Sequence, residues 1–166
     1  MTEQTDPIRT EVYREGMARM GAAITVLTTD GPAGKHGMTA SAVCSVTDTP
    51  PTLLICVNRT SRSHDIIQQN GVVAVNVLAG RHQALSTAFA GKGDADRFDT
   101  GDWRSLATGA PVLADASVAF DCKITDSSPV GSHTVFFCEV QAMELAEGQA
   151  ETLIWFGRDF HALKAL

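Results

Sequence analysis

The chain has 166 residues, of which 44% are hydrophobic and 19% are charged. This length and composition predict one globular domain, 1–166, and exclude a disordered chain, because disordered chains are poor in apolar residues. The 13 Lys and Arg against 19 Asp and Glu give a net charge of −6 without a block of like charges. Such a charge pattern predicts that nucleic acid is not a partner.

The N-terminus and the apolar segments predict a cytoplasmic protein without a membrane partner. Residues 1–16 are polar and partly acidic, unlike a secretory signal peptide. No apolar run approaches the ~20 residues that a membrane-spanning helix needs. The four cysteines form no C-x-x-C pair, which favours buried reduced thiols over disulfides or a metal site.

The first half of the chain is predicted to contain two helices among four strands. Residues 7–20 are expected to be helical, because Asp6-Pro7 is a typical helix start and apolar residues follow at roughly helical spacing. A second short helix is expected within 59–71, which has hydroxyl residues to cap it and a glycine to end it. Runs of β-branched and apolar residues predict strands over 22–29, 38–47, 52–58 and 72–78.

The second half begins with a predicted helix over 81–91, closed by a glycine. Residues 92–111 are polar and glycine-rich without a period, so we expect a surface loop that could act as a lid. Three further strands are predicted over 117–128, 133–145 and 152–160. About seven strands without regular strand–helix alternation favour a mainly β protein, an antiparallel closed or nearly closed barrel.

Three places in the sequence could bind a ligand, and each has a structural alternative. The small side chains of 37–42 would let a flat ring approach the backbone, although tight packing explains them slightly better. The segment 58–63, NRTSRS, joins backbone N–H groups, hydroxyls and two arginines where a phosphate could bind, or it is an ordinary helix cap. His133 follows a turn and faces either a cleft or water.

Several stretches of the sequence resemble the flavin reductase-like family. They are GMTASAVCSVTDTPPTLLICVNRTS, VVAVNVL, FAGK, DRF, AFDCKI, VGSH and LIWFGRDFHAL. Members of this family have an FMN-binding split barrel and form the reductase component of two-component flavin-dependent monooxygenases. Within the family, the chain is most similar to the NADH-dependent FMN reductases of bacterial pyrimidine utilisation, then to the reductase component of 4-hydroxyphenylacetate hydroxylase.

The resemblance implies a split β-barrel that is antiparallel and Greek-key-like, with a few short helices. It also implies a homodimer with flavin near the subunit interface, the flavin being FMN or alternatively FAD. NADH would reduce the flavin, which would then leave for a separate monooxygenase in pyrimidine or aromatic-compound degradation. The chain has neither a second redox centre nor an oxygenase domain, which agrees with release.

By motif position, the resemblance also implies roles for particular residues. His133 would be the catalytic residue bordering the nicotinamide pocket. The flavin ring would lie on Thr39, Ala40, Ser41, Cys44, Ser45 and Val46. The flavin phosphate would face Asn58, Ser61 and Ser63. The flavin tail would be closed by Phe89, Ala90, Gly91 and Lys92. Arg158 would lie near the flavin and the nicotinamide.

Two other functions remain open at this point. The same barrel could be a flavin- or haem-binding module without turnover, which would retain its ligand and not oxidise NADH. It could also be a split-barrel oxidase of a phosphorylated vitamin, although a basic substrate pocket for it is not apparent in the sequence.

Overall fold

The computed structural model describes residues 8–91 and 97–165. Its three α-helices are α1 (Thr10–Ala18), α2 (Arg62–Asn70) and α3 (Gln83–Ala90). The strands of the first half are β1 (Ala22–Ala23), β2 (Thr25–Thr29), β3 (His36–Ala40), β4 (Val43–Asp48), β5 (Pro51–Asn58) and β6 (Val72–Val77). The strands of the second half are β7 (Trp103–Ser105), β8 (Pro111–Leu113), β9 (Val118–Val130), β10 (His133–Leu145), β11 (Glu151–Phe156) and β12 (Asp159–Lys164).

Seven of these strands form one antiparallel sheet in the order β3-β2-β6-β9-β10-β5-β4. A second sheet has the order β1-β11-β12, and β7 pairs with β8. The prediction of a mainly β, antiparallel fold with a few short helices is therefore confirmed.

The core lies on both faces of the central strands. On β2, Val26 belongs to one apolar cluster and Leu27 to another on the opposite face. On β6, Ala74 and Val75 divide between the same two clusters. Side chains alternate across a strand, so β2 and β6 are covered on both sides.

Several predicted strands are divided in the structure. The strand predicted over 22–29 breaks at Ile24, whose backbone N–H donates to Leu153 of β11 while its carbonyl accepts from Leu78. The strand predicted over 38–47 is two strands, β3 and β4, separated at residues 41–42. The strand predicted over 152–160 is a hairpin that turns at residues 157 and 158, both with positive φ.

The segment predicted as a surface loop contains packed structure. Residues 92–96 lie outside the described residues, but 97–111 include a short 3-10 turn, all of β7 and the first residue of β8, with which β7 pairs. The rings of Phe98 and Trp103 lie 5.2 and 5.5 Å from the ring of Phe89, which is buried. These aromatic contacts hold the segment on the core, so 97–111 are not an irregular surface loop, and the role as a lid stays a prediction.

The α1 helix is shorter than predicted. It covers Thr10–Ala18 instead of 7–20, and the proposed start at Asp6-Pro7 lies outside the described residues. No residue of α1 is buried. No helix within 8–91 or 97–165 has the length and apolar character needed to cross a membrane.

The cysteines divide into buried and accessible thiols. Burial raises the pKa of Cys138 to about 12 and also raises the pKa of Cys122, so both thiols stay protonated. Cys44 is exposed and Cys56 is half-buried, so the prediction of buried thiols is wrong for Cys44. In the described part of the chain, no group of His, Cys, Asp and Glu side chains is arranged to hold a metal ion.

Candidate functional site

The candidate site lies where β5 ends and β10 begins. These strands are antiparallel neighbours, and their register places Asn58, the last residue of β5, opposite His133, the first residue of β10. Strand pairing therefore brings together two residues that are distant in sequence and that belong to separate motifs.

Asn58 builds the turn that leads from β5 into α2. Its side-chain oxygen accepts hydrogen bonds from the backbone N–H and the hydroxyl of Thr60, both at 2.9 Å. Its backbone carbonyl accepts from the N–H of Ser61 at 3.0 Å. These local bonds fix the turn, as Asn side chains commonly do.

The turn delivers the chain into the N-terminus of α2. Ser61 is the N-cap, and its hydroxyl accepts from the N–H of Ser63 at 3.3 Å. The Ser63 hydroxyl is buried against His36, with 3.0 Å between Oγ and Nε2. Backbone N–H groups and the helix dipole make such an N-terminus favourable for an anion.

Two arginines lie near this helix end, whose first turn also carries the carboxylate of Asp65. Burial, and then the positive charges of Arg97 and Arg62, lower the pKa of His36 from its ordinary value. The Arg62 side chain is exposed and has no hydrogen-bond or ion-pair partner among the described residues. Arg97 is fixed by donating to the carbonyls of Gly37 (3.1 Å), Phe89 (3.3 Å) and Gly91.

This donor set fits the phosphate of FMN. A phosphate monoester carries close to two negative charges near neutral pH and offers several acceptor oxygens. The cap hydroxyl of Ser61 and the exposed guanidinium group of Arg62 meet those requirements, whereas the N–H groups of Ser61, Ser63 and His64 already donate within the turn. His36 and Arg97, by contrast, escape prediction from the sequence, because they are neighbours of α2 only in the folded chain.

The surface expected to lie under the flavin ring runs along β3 and β4. The Thr39 hydroxyl donates to the carbonyl of Ser86 in α3, and the carbonyl of Ala40 accepts from the hydroxyl of Thr25. Ser41 is exposed in the connection between the strands. The β3 end is therefore firmly held and open on one side.

The β4 part of this surface is exposed. Cys44, Ser45 and Val46 lie on β4, the outermost strand at this side of the sheet, and all three are exposed. The β4–β5 register shifts between Ser45 and Thr47, so Val46 occupies an irregularity of the edge. Bulges of this kind redirect side chains at sheet edges.

The two interpretations of the small residues in 37–42 apply to different positions. A Cβ atom on Gly37 would lie 2.5 Å from the ring of Phe89, so packing explains this glycine. Ala40 and Ser41 are not closed off in this way, because Ala40 is half-buried and Ser41 is exposed. The small side chains at these two positions leave room for a planar ligand.

The remaining predicted residues differ in accessibility. The ring of Phe89 is buried in the core, while Ala90 and Gly91 are exposed at the end of α3. A ligand could therefore meet this segment at Ala90 and Gly91 but not at the Phe89 ring. Lys92 lies outside the described residues.

Arg158 is not brought together with Asn58 and His133. It lies in the turn between β11 and β12, in the other sheet, with φ of 64°. Its guanidinium group forms an ion pair with Glu15 of α1 at 2.9 Å. The side chain thus attaches α1 to the hairpin, and the expectation that it faces the flavin finds no support in this arrangement.

None of three cavities found in the described structure is lined by the predicted flavin residues. The largest, about 600 Å³, lies at the opposite end of β10, against Leu145 and the turn that follows it. Four of the residues expected under the flavin ring, Ser41, Cys44, Ser45 and Val46, are exposed in the single chain.

Comparison with known proteins identifies relatives along nearly the whole chain. The sequence model of the family described as "Flavin reductase like domain" matches residues 17–164. The chain is 54% identical over 158 residues to the FMN reductase (NADH) RutF of Ancylobacter novellus, covering 94% of this chain and 86% of that protein. It is 55% identical over 152 residues to RutF of Bradyrhizobium diazoefficiens, covering 91% and 84%.

Solved structures agree with the sequence relatives. A candidate flavin reductase of Haemophilus somnus is similar with a TM-score of 0.90 and 37% identity, covering 94% of this chain and 100% of that one. The NADH:FAD oxidoreductase SgcE6 of Streptomyces globisporus, solved with NAD and FAD fragments, is similar with a TM-score of 0.86 and 30% identity, covering 96% of both chains. The styrene monooxygenase flavin reductase of Pseudomonas putida S12 is similar with a TM-score of 0.82 and 25% identity, covering 93% of this chain and 98% of that one.

Proposed function

The chain belongs to the flavin reductase-like domain family, and on that premise we propose that it is a cytoplasmic NADH-dependent FMN reductase that supplies reduced flavin to a separate monooxygenase. We propose further that 1–166 form a single domain. The observation that carries the proposal is the pairing of Asn58, in a turn suited to phosphate, with His133 on the adjacent strand. The relatives named FMN reductase (NADH) support the choice of both substrates.

FMN, when bound, would supply the hydride acceptor, so the protein need not provide a nucleophile or an acid–base pair. The chain's own task is to hold two rings in contact and in the correct orientation, which lowers the entropic part of the barrier. This division of roles accounts for a site built from a turn, a helix end and an exposed strand edge.

The phosphate end of the site would be held by α2. The cap hydroxyl of Ser61 and the Arg62 guanidinium group would bind the phosphate oxygens, and the positive end of the helix dipole would favour them. Ser63 would be kept in place by its bond to His36. Since riboflavin lacks the phosphate, this end of the site should distinguish FMN from riboflavin.

The ring end would lie along β3 and β4. Ala40 and Ser41 offer backbone groups and little side-chain bulk, and the exposed strand β4 continues the surface. His133 would border the nicotinamide of NADH, because it lies beside the phosphate turn and its ring is exposed. The imidazole could donate a hydrogen bond there or limit the orientations of the nicotinamide.

Release of reduced flavin fits an open site. Ser41, Cys44, Ser45 and Val46 are exposed, so flavin bound against them in a single chain would remain partly accessible. The similar flavin reductase from Pseudomonas putida is named for a styrene monooxygenase. The substrate of the partner monooxygenase proposed here is a pyrimidine or an aromatic compound.

A homodimer is also part of the proposal, with α1 in the interface. Tyr13 and Met17 lie one turn apart on α1 and are 61% and 43% exposed, and Met20, just after the helix, is 64% exposed. Apolar side chains grouped on one face of a helix are typical of an interaction surface. A second copy of the chain covering this face would remove them from water.

The decisive measurement is NADH oxidation by the purified protein, with FMN, FAD or riboflavin added in turn and with NADPH as the alternative donor. We expect turnover that depends on added flavin, with FMN preferred to riboflavin and NADH preferred to NADPH. Bound flavin without NADH oxidation would instead indicate a binding module. Reduced flavin retained over many turnovers, without transfer to an oxygenase, would contradict the role as a supplier.

A further inference from the structure

Arg59 connects the phosphate turn to the turn that carries His133. Its backbone N–H donates to the carbonyl of Ser132 at 2.9 Å. Its guanidinium group donates to the carbonyl of Gly131. Both acceptors belong to the β9–β10 turn, so a single residue binds this turn through main chain and side chain.

Strand pairing holds the base of the β9–β10 turn at His133, but side chains give the turn itself little other support. Gly131 has a φ of 55°, a conformation that glycine adopts without strain. The Ser132 hydroxyl lies 2.9 Å from Nδ1 of His133, within the turn itself. Among the described residues, Arg59 is the one side chain outside this hairpin that hydrogen-bonds to residues 131–133.

Arg62 has a different environment, three residues further on. It has no hydrogen-bond or ion-pair partner among the described residues, and its charge acts on His36 beside the start of α2. A guanidinium group already bound to a carbonyl has fewer N–H groups left for a phosphate, whereas a free one keeps all five. The two arginines, equivalent in the sequence, are therefore not equivalent in the structure.

From this contrast we infer that Arg59 is a positioning residue, which holds the His133 turn against the end of β5, and that Arg62 is the arginine that binds the flavin phosphate. The inference rests on the proposed function. Loss of the Arg59 side chain would then impair the reaction with NADH, because His133 would be displaced. Loss of the Arg62 side chain would weaken the binding of flavin, because a contact to its phosphate would be missing.

The test compares Arg59→Ala, Arg59→Lys and Arg62→Ala with the wild type. Flavin binding is measured by fluorescence quenching, and kcat and KM for NADH are measured at saturating FMN. For Arg59→Ala we expect kcat/KM for NADH to fall roughly tenfold, as for one lost hydrogen bond from a charged donor, with the FMN Kd within about twofold of wild type. Arg59→Lys should recover part of the loss, because an ammonium group can still donate to a carbonyl.

Arg62→Ala is the matched variant and should show the reverse pattern. Its FMN Kd should rise roughly tenfold. Its riboflavin Kd should be unchanged, because riboflavin has no phosphate for Arg62 to bind. If Arg59→Ala weakens FMN binding as much as Arg62→Ala does, or leaves the NADH parameters at wild-type values, the assignment of Arg59 is overturned.

Hydrogen–deuterium exchange gives a readout that does not depend on turnover. Arg59→Ala should increase exchange in residues 130–134 and leave 62–70 as in wild type, whereas Arg62→Ala should not affect 130–134. Unchanged exchange in 130–134 in Arg59→Ala would overturn the positioning role. If the wild type fails to oxidise NADH, the proposed function fails, yet the exchange result still decides whether Arg59 holds the turn.

Discussion

Asn58 and His133 are cross-strand neighbours at the ends of β5 and β10. Further along the same pair of strands, Ile55 lies opposite Phe136, and both are buried. A shift of register by one residue would move these apolar side chains to the other face of the sheet. The packing that fixes the core therefore also fixes the distance between the phosphate turn and His133.

His133→Ala should impair the reaction with NADH more than the binding of flavin. We expect kcat/KM for NADH to fall roughly tenfold, which corresponds to about 1.4 kcal/mol of lost transition-state stabilisation. Stopped-flow reduction of FMN under anaerobic conditions measures this loss directly. Ser132→Ala is the control, since it removes only the hydroxyl that contacts Nδ1 of His133. An equal loss in both variants would mean that the turn, not the imidazole, is required.

Ser63→Ala should reduce the preference for FMN over riboflavin. The variant removes the hydroxyl that lies 3.0 Å from His36 and leaves the helix N-terminus less well organised. A net loss of about 1 kcal/mol, or roughly fivefold in FMN Kd, is expected for one neutral hydrogen bond. Fluorescence titration with FMN and with riboflavin separates the effects. A similar loss for both ligands would show that Ser63 does not act at the phosphate.

The local parts of the structure could be predicted because their signals are local. α2 begins at the cap Ser61 and ends before Gly71, which has φ of 68°, as its sequence indicates. A run of β-branched residues predicts β6 equally clearly. The β11–β12 hairpin is harder to predict, because only Gly157 signals its turn, while Arg158 also has a positive φ, where Asn or Gly is the usual residue.

The arrangement of the site depends on contacts that no local pattern contains. His36 meets Ser63 across 27 positions of the chain, and Arg97 meets Gly37 across 60. The roles of Arg59 and Arg62 differ only because the β9–β10 turn reaches one of them. Residue types in a motif could therefore predict a phosphate site, whereas its neighbours required the fold.

Asp121→Ala should destabilise the protein, although Asp121 is not part of the candidate site. The buried carboxylate accepts from the backbone N–H of Ala107 (2.7 Å) and of Thr108 (2.8 Å), and from the Thr108 hydroxyl. The variant removes three hydrogen bonds to a buried carboxylate, although the donors on Ala107 and Thr108 can still reach water, and a loss of about 1–3 kcal/mol is expected. Urea unfolding measures the change, and Thr108→Ala, which loses one of the three donors, should cost less. A cost below 1 kcal/mol for Asp121→Ala would contradict this role.

Met17→Glu should weaken the proposed homodimer. A carboxylate in the middle of the exposed apolar face of α1 would have to be desolvated on association, which opposes it. Light scattering coupled to size exclusion should show a dimer for the wild type and a smaller species for the variant. Thr10→Glu adds the same charge at a polar position of the same helix and should remain a dimer. A wild type that is already monomeric would refute the proposal.

His36 should couple folding stability and FMN binding to pH. Burial, followed by the charges of Arg97 and Arg62, lowers its pKa in the folded protein, whereas in the unfolded chain the imidazole titrates near the ordinary value of about 6.5. The unfolded state therefore binds more protons below this pH, so the contribution is fully present above pH ~6.5 and is lost as the pH falls toward the folded pKa. A phosphate bound beside the same arginines would offset their charge and raise the pKa of His36.

NMR titration of the histidine resonances, with and without FMN, measures this coupling, and His36→Gln identifies the His36 signal. Urea unfolding of the wild type and His36→Gln at several pH values should show the steeper loss of stability in the wild type below pH ~6.5. A His36 pKa that FMN leaves unchanged would place the phosphate elsewhere. Because riboflavin lacks the anion, it should not shift this pKa, and a shift of equal size with riboflavin would assign the effect to burial by the ring.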